Sequence, residues 1–131
     1  MKMEHVGIQV QAPLEMAEWY CRNLGFRLLR QQAVSPFTAF LADSSGSVMI
    51  EIHYHPEVAL PDHAKTDPLI LHLAFDVGTE TVEAAAERLQ ADGASLAKPL
   101  VVTATGDRLI MLRDPWGLAV QLVKRAERMI R

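Results

Sequence analysis

Two stretches of this 131-residue chain read alike, and that repetition narrows the folds open to it more than any other property. In the first stretch, Val6-Gly7-Ile8-Gln9-Val10 alternates apolar with small or polar residues, the period of a strand with one buried face. Pro13 suits the first turn of a helix, and Leu14, Ala17, Cys21 and Leu24 follow at helical spacing as one apolar stripe. Gly25 predicts where that helix stops. Strands are predicted over 26–30, 37–42 and 48–54, the last two joined by the turn-forming run Asp43-Ser44-Ser45-Gly46-Ser47.

The same order then returns. Residues 71–77 read as a strand, Thr79 as a helix cap, and Val82, Ala85, Ala86 and Leu89 as a second apolar stripe that Gly93 closes. Strands are predicted over 94–98, 107–112 and 118–123, with Asp114-Pro115-Trp116-Gly117 as a tight turn. His5 and Gly25 stand 20 positions apart, His72 and Gly93 21; His5 to Glu51 is 46, His72 to Gln121 49. Each half therefore offers a histidine on its first strand and a carboxylate or amide on its last. The reading is one domain over 1–131: module one 1–55, a proline-marked linker 56–68, module two 69–124 and a tail 125–131.

Composition excludes several partners. Thirteen basic against sixteen acidic residues give a net charge of −3, with basic residues clustered only near the C-terminus, so nucleic acid is not expected. No apolar stretch is long enough to cross a bilayer, no signal peptide is visible, and a single cysteine, Cys21, suits a reducing compartment; the expectation is a cytoplasmic protein. A glycine-rich phosphate loop and a serine–histidine–acid triad are both missing.

The order and spacing of His5-Val6-Gly7-Ile8-Gln9-Val10, Trp19-Tyr20, Leu24-Gly25-Phe26, His72-Leu73-Ala74-Phe75, Asp92-Gly93-Ala94 and Asp114-Pro115-Trp116-Gly117 resemble the vicinal oxygen chelate superfamily. That superfamily includes glyoxalase I, extradiol dioxygenases and bleomycin-resistance proteins. The resemblance implies an α+β fold: two tandem βαβββ modules forming a curled, open, barrel-like mixed sheet with helices outside, commonly in a homodimer. It also implies that one divalent metal is held by His5, Glu51, His72 and Gln121. Two imidazoles, a carboxylate and an amide oxygen suit zinc, nickel, cobalt, manganese or iron.

Plainer readings stand beside these. A histidine opening a strand is ordinarily a solvated or hydrogen-bonded residue, and Glu51, between Ile50 and Ile52, has an alternative place on an outward face. Glu51, His53 and His55 share one face of a strand and form a rival local metal row. His53, His55 and Phe37 are the candidates for contacting a small-molecule substrate. Phe40 and Met49 are read first as core residues, with a pocket lining as the alternative, and Arg108 and Arg113 as solvated cations with the capacity to hold an anion.

Within the resemblance, the leading expectation is a metal-dependent lyase or isomerase moving a proton beside a carbonyl, with Glu51 as base because Gln121 has no proton-accepting oxyanion. Glyoxalase I clamps glutathione carboxylates with arginines where this chain has Gln9 and Pro68, which argues against typical glutathione chemistry. The alternative is a metal-free, bleomycin-resistance-type binding protein. An extradiol dioxygenase ranks lower, since Gln121 replaces the glutamate of its metal triad; fosfomycin-modifying enzymes meet the same objection.

Overall fold

The computed structural model describes residues 1–47 and 49–130; Val48 of a predicted strand and Arg131 of the predicted tail lie outside the described residues. The chain divides into two compact units, Met1–Pro61 and Asp62–Arg131.

The first unit runs β1 (Val6–Gln9), α1 (Pro13–Leu24), β2 (Arg27–Gln31), β3 (Ala39–Ala42) and β4 (Met49–His53). Its sheet has the order β1-β4-β3-β2, with β1 parallel to β4 and the other pairs antiparallel. The helix starts at Pro13 and is capped by Gly25 in the left-handed conformation, as the sequence predicts. Its buried face differs from the predicted stripe: Met16, Trp19, Tyr20 and Asn23 are buried beside Ala17, while Leu14, Cys21 and Leu24 are half-buried. The bulkiest side chains, not the best-spaced aliphatic ones, turn toward the sheet because they remove the most surface from water. Across from α1, Ile8, Leu41, Ile50 and Ile52 form the buried sheet face, each contributing about 1.5–3 kcal/mol.

The second unit repeats this with β5 (Leu73–Asp76), α2 (Val82–Ala91), β6 (Ser95–Val102), β7 (Arg108–Arg113) and β8 (Ala119–Lys124). The order β5-β8-β7-β6 mirrors the first sheet, with β5 parallel to β8. Val82, Ala85, Ala86 and Leu89 are buried as predicted. The cap is Thr81 rather than Thr79, its hydroxyl accepting from the Ala84 amide at 3.1 Å. Strand β6 extends past the predicted end because Pro99 lies on an edge strand, within the register shift between Lys98 and Val101, where a missing amide proton is tolerated. The strands form two four-stranded sheets that are not closed into a barrel.

Part of the predicted linker belongs to the second unit. Arg113 donates to the carbonyls of His63 (2.7 Å), Thr66 (2.9 Å) and Gly117 (3.0 Å), tying the turn at 62–66 to the β7–β8 corner. The guanidinium is thus engaged by backbone and is not a solvated anion site. Arg108 is likewise paired, with Glu83.

Candidate metal centre

The parallel pairing of β1 with β4 decides which side chains meet. Gly7 lies opposite Glu51, and His5, two residues earlier, projects from the same face. The His5 Nε2 stands 3.3 Å from Glu51 Oε2. A Cβ on Gly7 would come within 3.1 Å of that same oxygen, so the missing side chain is what leaves the carboxylate its place. Glu51 is half-buried, on the face of β4 opposite to the buried Ile50 and Ile52.

On the far side of the ring, His5 Nδ1 bonds the Glu4 carboxylate. An ionised carboxylate only accepts, which assigns the Nδ1 proton and leaves Nε2 facing Glu51. The hydrogen bond that His5 donates to Glu4, then the charge of Glu4 and that of Glu51, raises the His5 pKa above its ordinary value. The ring also packs edge-on against Phe40, centroids 5.8 Å apart.

The second unit repeats the relation. Ala74 lies opposite Gln121 in the parallel β5–β8 ladder, and His72 precedes Ala74 by two. His72 Nδ1 donates to the Pro68 carbonyl at 2.7 Å, again freeing Nε2. In both units, then, an imidazole on the residue just before the first strand has its Nδ1 held by an oxygen acceptor. That is how metal-binding histidines are commonly oriented. The sequence reading missed Glu4 and the Pro68 carbonyl, since nothing in their spacing distinguishes an oxygen that orients a ring from an ordinary neighbour.

The rival row behaves differently. His53 Nδ1 is 3.7 Å from Glu51 Oε2, beyond hydrogen bonding, and is buried with no hydrogen-bond partner among the described residues. His55 lies past the end of β4, where its Nδ1 sits 3.3 Å from Glu57, although its ring still stacks edge-on with His53 at 4.9 Å. Among the described residues, no three His, Cys, Asp or Glu side chains are gathered in metal-holding geometry, which holds for the row Glu51, His53 and His55 and for His5, Glu51 and His72 alike.

A cavity of about 280 Å³ adjoins His5, lined by Glu4, His5, Leu29, Arg30, Phe40 and Met49. Phe40 and Met49 therefore face open space and not the core. Phe37 lies outside that lining, in the loop before β3, with a φ of 55°. Among the described residues, no helix is long and apolar enough to cross a membrane.

Solved structures share this fold. A glyoxalase family protein from Bacillus cereus superposes with a TM-score of 0.80 at 19% identity, over 97% of this chain and 95% of that one. An antibiotic-binding protein from a Streptomyces species gives 0.69 at 21% identity, over 96% and 99%. The fosfomycin resistance protein FosX from Listeria monocytogenes, in complex with Mn(II) and sulfate, gives 0.71 at 18% identity, over 97% and 90%. No curated protein matches the chain. The model of the Glyoxalase/Bleomycin resistance protein/Dioxygenase superfamily matches residues 2–122, nearly the whole length, and the chain belongs to that superfamily.

Proposed function

We propose that the chain binds one divalent metal through His5, Glu51, His72 and Gln121, and is a lyase or isomerase that moves a proton beside a carbonyl of a small substrate. The observation that carries this reading is the paired presentation of His5 and His72. Each Nδ1 is fixed by an oxygen acceptor, each Nε2 is left available, and in the first unit that nitrogen meets Glu51. The donor set fits a borderline ion such as zinc, nickel, cobalt, manganese or iron. The space kept by Gly7 and the unpartnered His53 Nδ1 beside Glu51 add to the fit.

A bound divalent ion supplies Lewis acidity that polarises a carbonyl and acidifies the adjacent C–H or a bound water. Glu51 is the one proposed ligand able to accept a proton, whereas Gln121 offers only a neutral oxygen. Glu4 orients His5 and stays outside the ligand set. Phe40 and Met49 give the substrate's apolar part a surface to rest on, with His53 and His55 at the rim. The absence of arginine at Gln9 and Pro68 argues against glutathione bound in the usual way.

A second reading, a metal-free small-molecule binding protein, is supported by the apolar lining contributed by Leu29, Phe40 and Met49 and by the fold shared with an antibiotic-binding protein. Elemental analysis of tag-free protein separates the two. Near-stoichiometric metal in wild type, lost in His5→Ala and Glu51→Ala, supports the metal enzyme; metal-free wild type moves the conclusion to the binding protein. Solvent-proton exchange into an α-hydroxycarbonyl substrate then tests Glu51 as base. A cytoplasmic homodimer completes the proposal, with light scattering after gel filtration as the test of its stoichiometry.

A further inference from the structure

The ladder of the first sheet carries a row of side chains that extends the proposed metal site toward an edge. Gly7, Glu51 and Phe40 lie directly opposite one another across β1, β4 and β3. The next partner in that row is Arg30 on β2, and it is there because of an irregularity. Leu28 pairs with Leu41, so an unbroken antiparallel ladder would set Leu29 against Phe40 and turn Arg30 to the face that packs on α1. A register shift between Leu28 and Arg30 adds one residue and brings Arg30 opposite Phe40 instead. Bulges re-aim side chains in this way.

Arg30 lines the cavity that holds His5, and it has no hydrogen-bond or ion-pair partner among the described residues. Arg88, Arg108, Arg113 and Arg125, by contrast, each engage an acceptor. The other charge in the lining, Glu4, is engaged with His5. Leu29, Phe40 and Met49 supply the apolar surface between. Two strand spacings separate the backbone of Arg30 from that of Glu51, about 10 Å.

The geometry points to Arg30 as the anchor for the carboxylate of a small substrate with an apolar body, seated in the cavity beside His5 and Phe40. The inference rests on the proposed function only for which end of the substrate reacts. A guanidinium fork matches a carboxylate in shape and charge, and hydrogen bonds to a charged group contribute more than neutral ones.

The test compares phenylacetate with its neutral isostere phenylacetamide, titrated calorimetrically into the protein as purified and after EDTA treatment. Phenylacetate is expected to bind about tenfold more tightly than the amide. Arg30→Gln should bring that ratio to about one without changing melting temperature, chiefly by weakening phenylacetate binding, and Arg30→Lys should restore part of it. A ratio that survives EDTA but not Arg30→Gln supports the inference even if the metal reading fails. A ratio that vanishes with EDTA and persists in Arg30→Gln overturns the inference and leaves the metal reading standing. Equal binding of the two compounds to wild type, or no saturable binding of either, also overturns it.

Discussion

Strand for strand, the row Arg30, Phe40, Glu51 and Gly7 of the first unit has a counterpart in Lys98, Met111, Gln121 and Ala74 of the second. Even the irregularity is shared: a register shift between Leu96 and Lys98 matches the one between Leu28 and Arg30. His5 and His72 stand two residues before Gly7 and Ala74. What differs is the chemistry hung on equal positions. The first unit has an anion and a glycine that makes room for it; the second has a neutral amide and a methyl group. A repeated backbone can thus keep the same strand positions in both copies while only one of them carries an ionisable side chain there.

Making the copies alike is the strongest way to break this contrast. Glu51→Gln gives both units the neutral residue and removes the sole anionic ligand of the proposed site. Loss of partners outside the ligand shell already weakens metal binding 10–100-fold, so removing the one negative charge from the ligand shell should cost about a thousandfold, or about 4 kcal/mol. Zinc titration by calorimetry, with elemental analysis of the purified protein, reads the change. The reverse exchange, Gln121→Glu, should tighten the metal and supply a second potential base. Unchanged metal content in Glu51→Ala, which has no donor at all, would remove Glu51 from the ligand set.

The turns before the last strands differ just as clearly. Gly117 has a φ of 95°, and a Cβ there would stand 2.6 Å from both the backbone nitrogen and the Cβ of Ala64. Gly46, in the first unit's turn, has a φ of 69° with only the end of the Arg27 side chain at 4.0 Å. Gly117→Ala combines overpacking with a left-handed backbone and should destabilise by about 3 kcal/mol; Gly46→Ala, with strain alone, by about 1 kcal/mol. Urea denaturation checks both, and equal losses would show that the Ala64 contact yields easily.

The repeat is also where sequence reading worked and where it failed. Both helices, all eight strands and the αL stop at Gly25 follow from periodicity and punctuation, because each is a local property of the chain. The meeting of His5 with Glu51 was legible through matched spacing, which a parallel first-to-last strand pairing converts into proximity. The functions of Glu4 and the Pro68 carbonyl were not legible, since ring orientation depends on rotamers and turns. The place of Arg30 depends on one inserted residue, and a bulge leaves no mark in alternation this short. The true face of α1 was missed because its aliphatic spacing competed with Trp19 and Tyr20, whose size decided the packing.

The two histidines are held by different acceptors, which gives a smaller and more selective test. Glu4→Gln removes the carboxylate that orients His5, whereas the Pro68 carbonyl behind His72 survives any side-chain change. Because Glu4 is exposed, the effect belongs at the low end of such losses, about tenfold in metal affinity. Its melting temperature without metal should match wild type. A loss as large as that of Glu51→Gln would place Glu4 among the ligands rather than behind one.

The charged pairs complete the contrast, since Glu51 of the first unit meets a histidine whereas Glu80 of the second meets an arginine. Arg88 reaches Glu80 with two nitrogens, at 3.1 and 2.8 Å, and this hydrogen bonding lowers the Glu80 pKa below its ordinary value. A carboxyl more acidic in the folded than in the unfolded chain contributes stability above its unfolded pKa, roughly 4.3. That contribution is lost as pH falls through the lower folded value. Both side chains are more than a third exposed, so solvent screening limits the pair to about 0.5 kcal/mol. Arg88→Ala should therefore lower stability slightly at neutral pH, by urea denaturation, with the difference closing in acid below the carboxylate range. A difference that persists undiminished in acid would mean that Arg88 contributes through the packing of its stem on α2 and not through its charge.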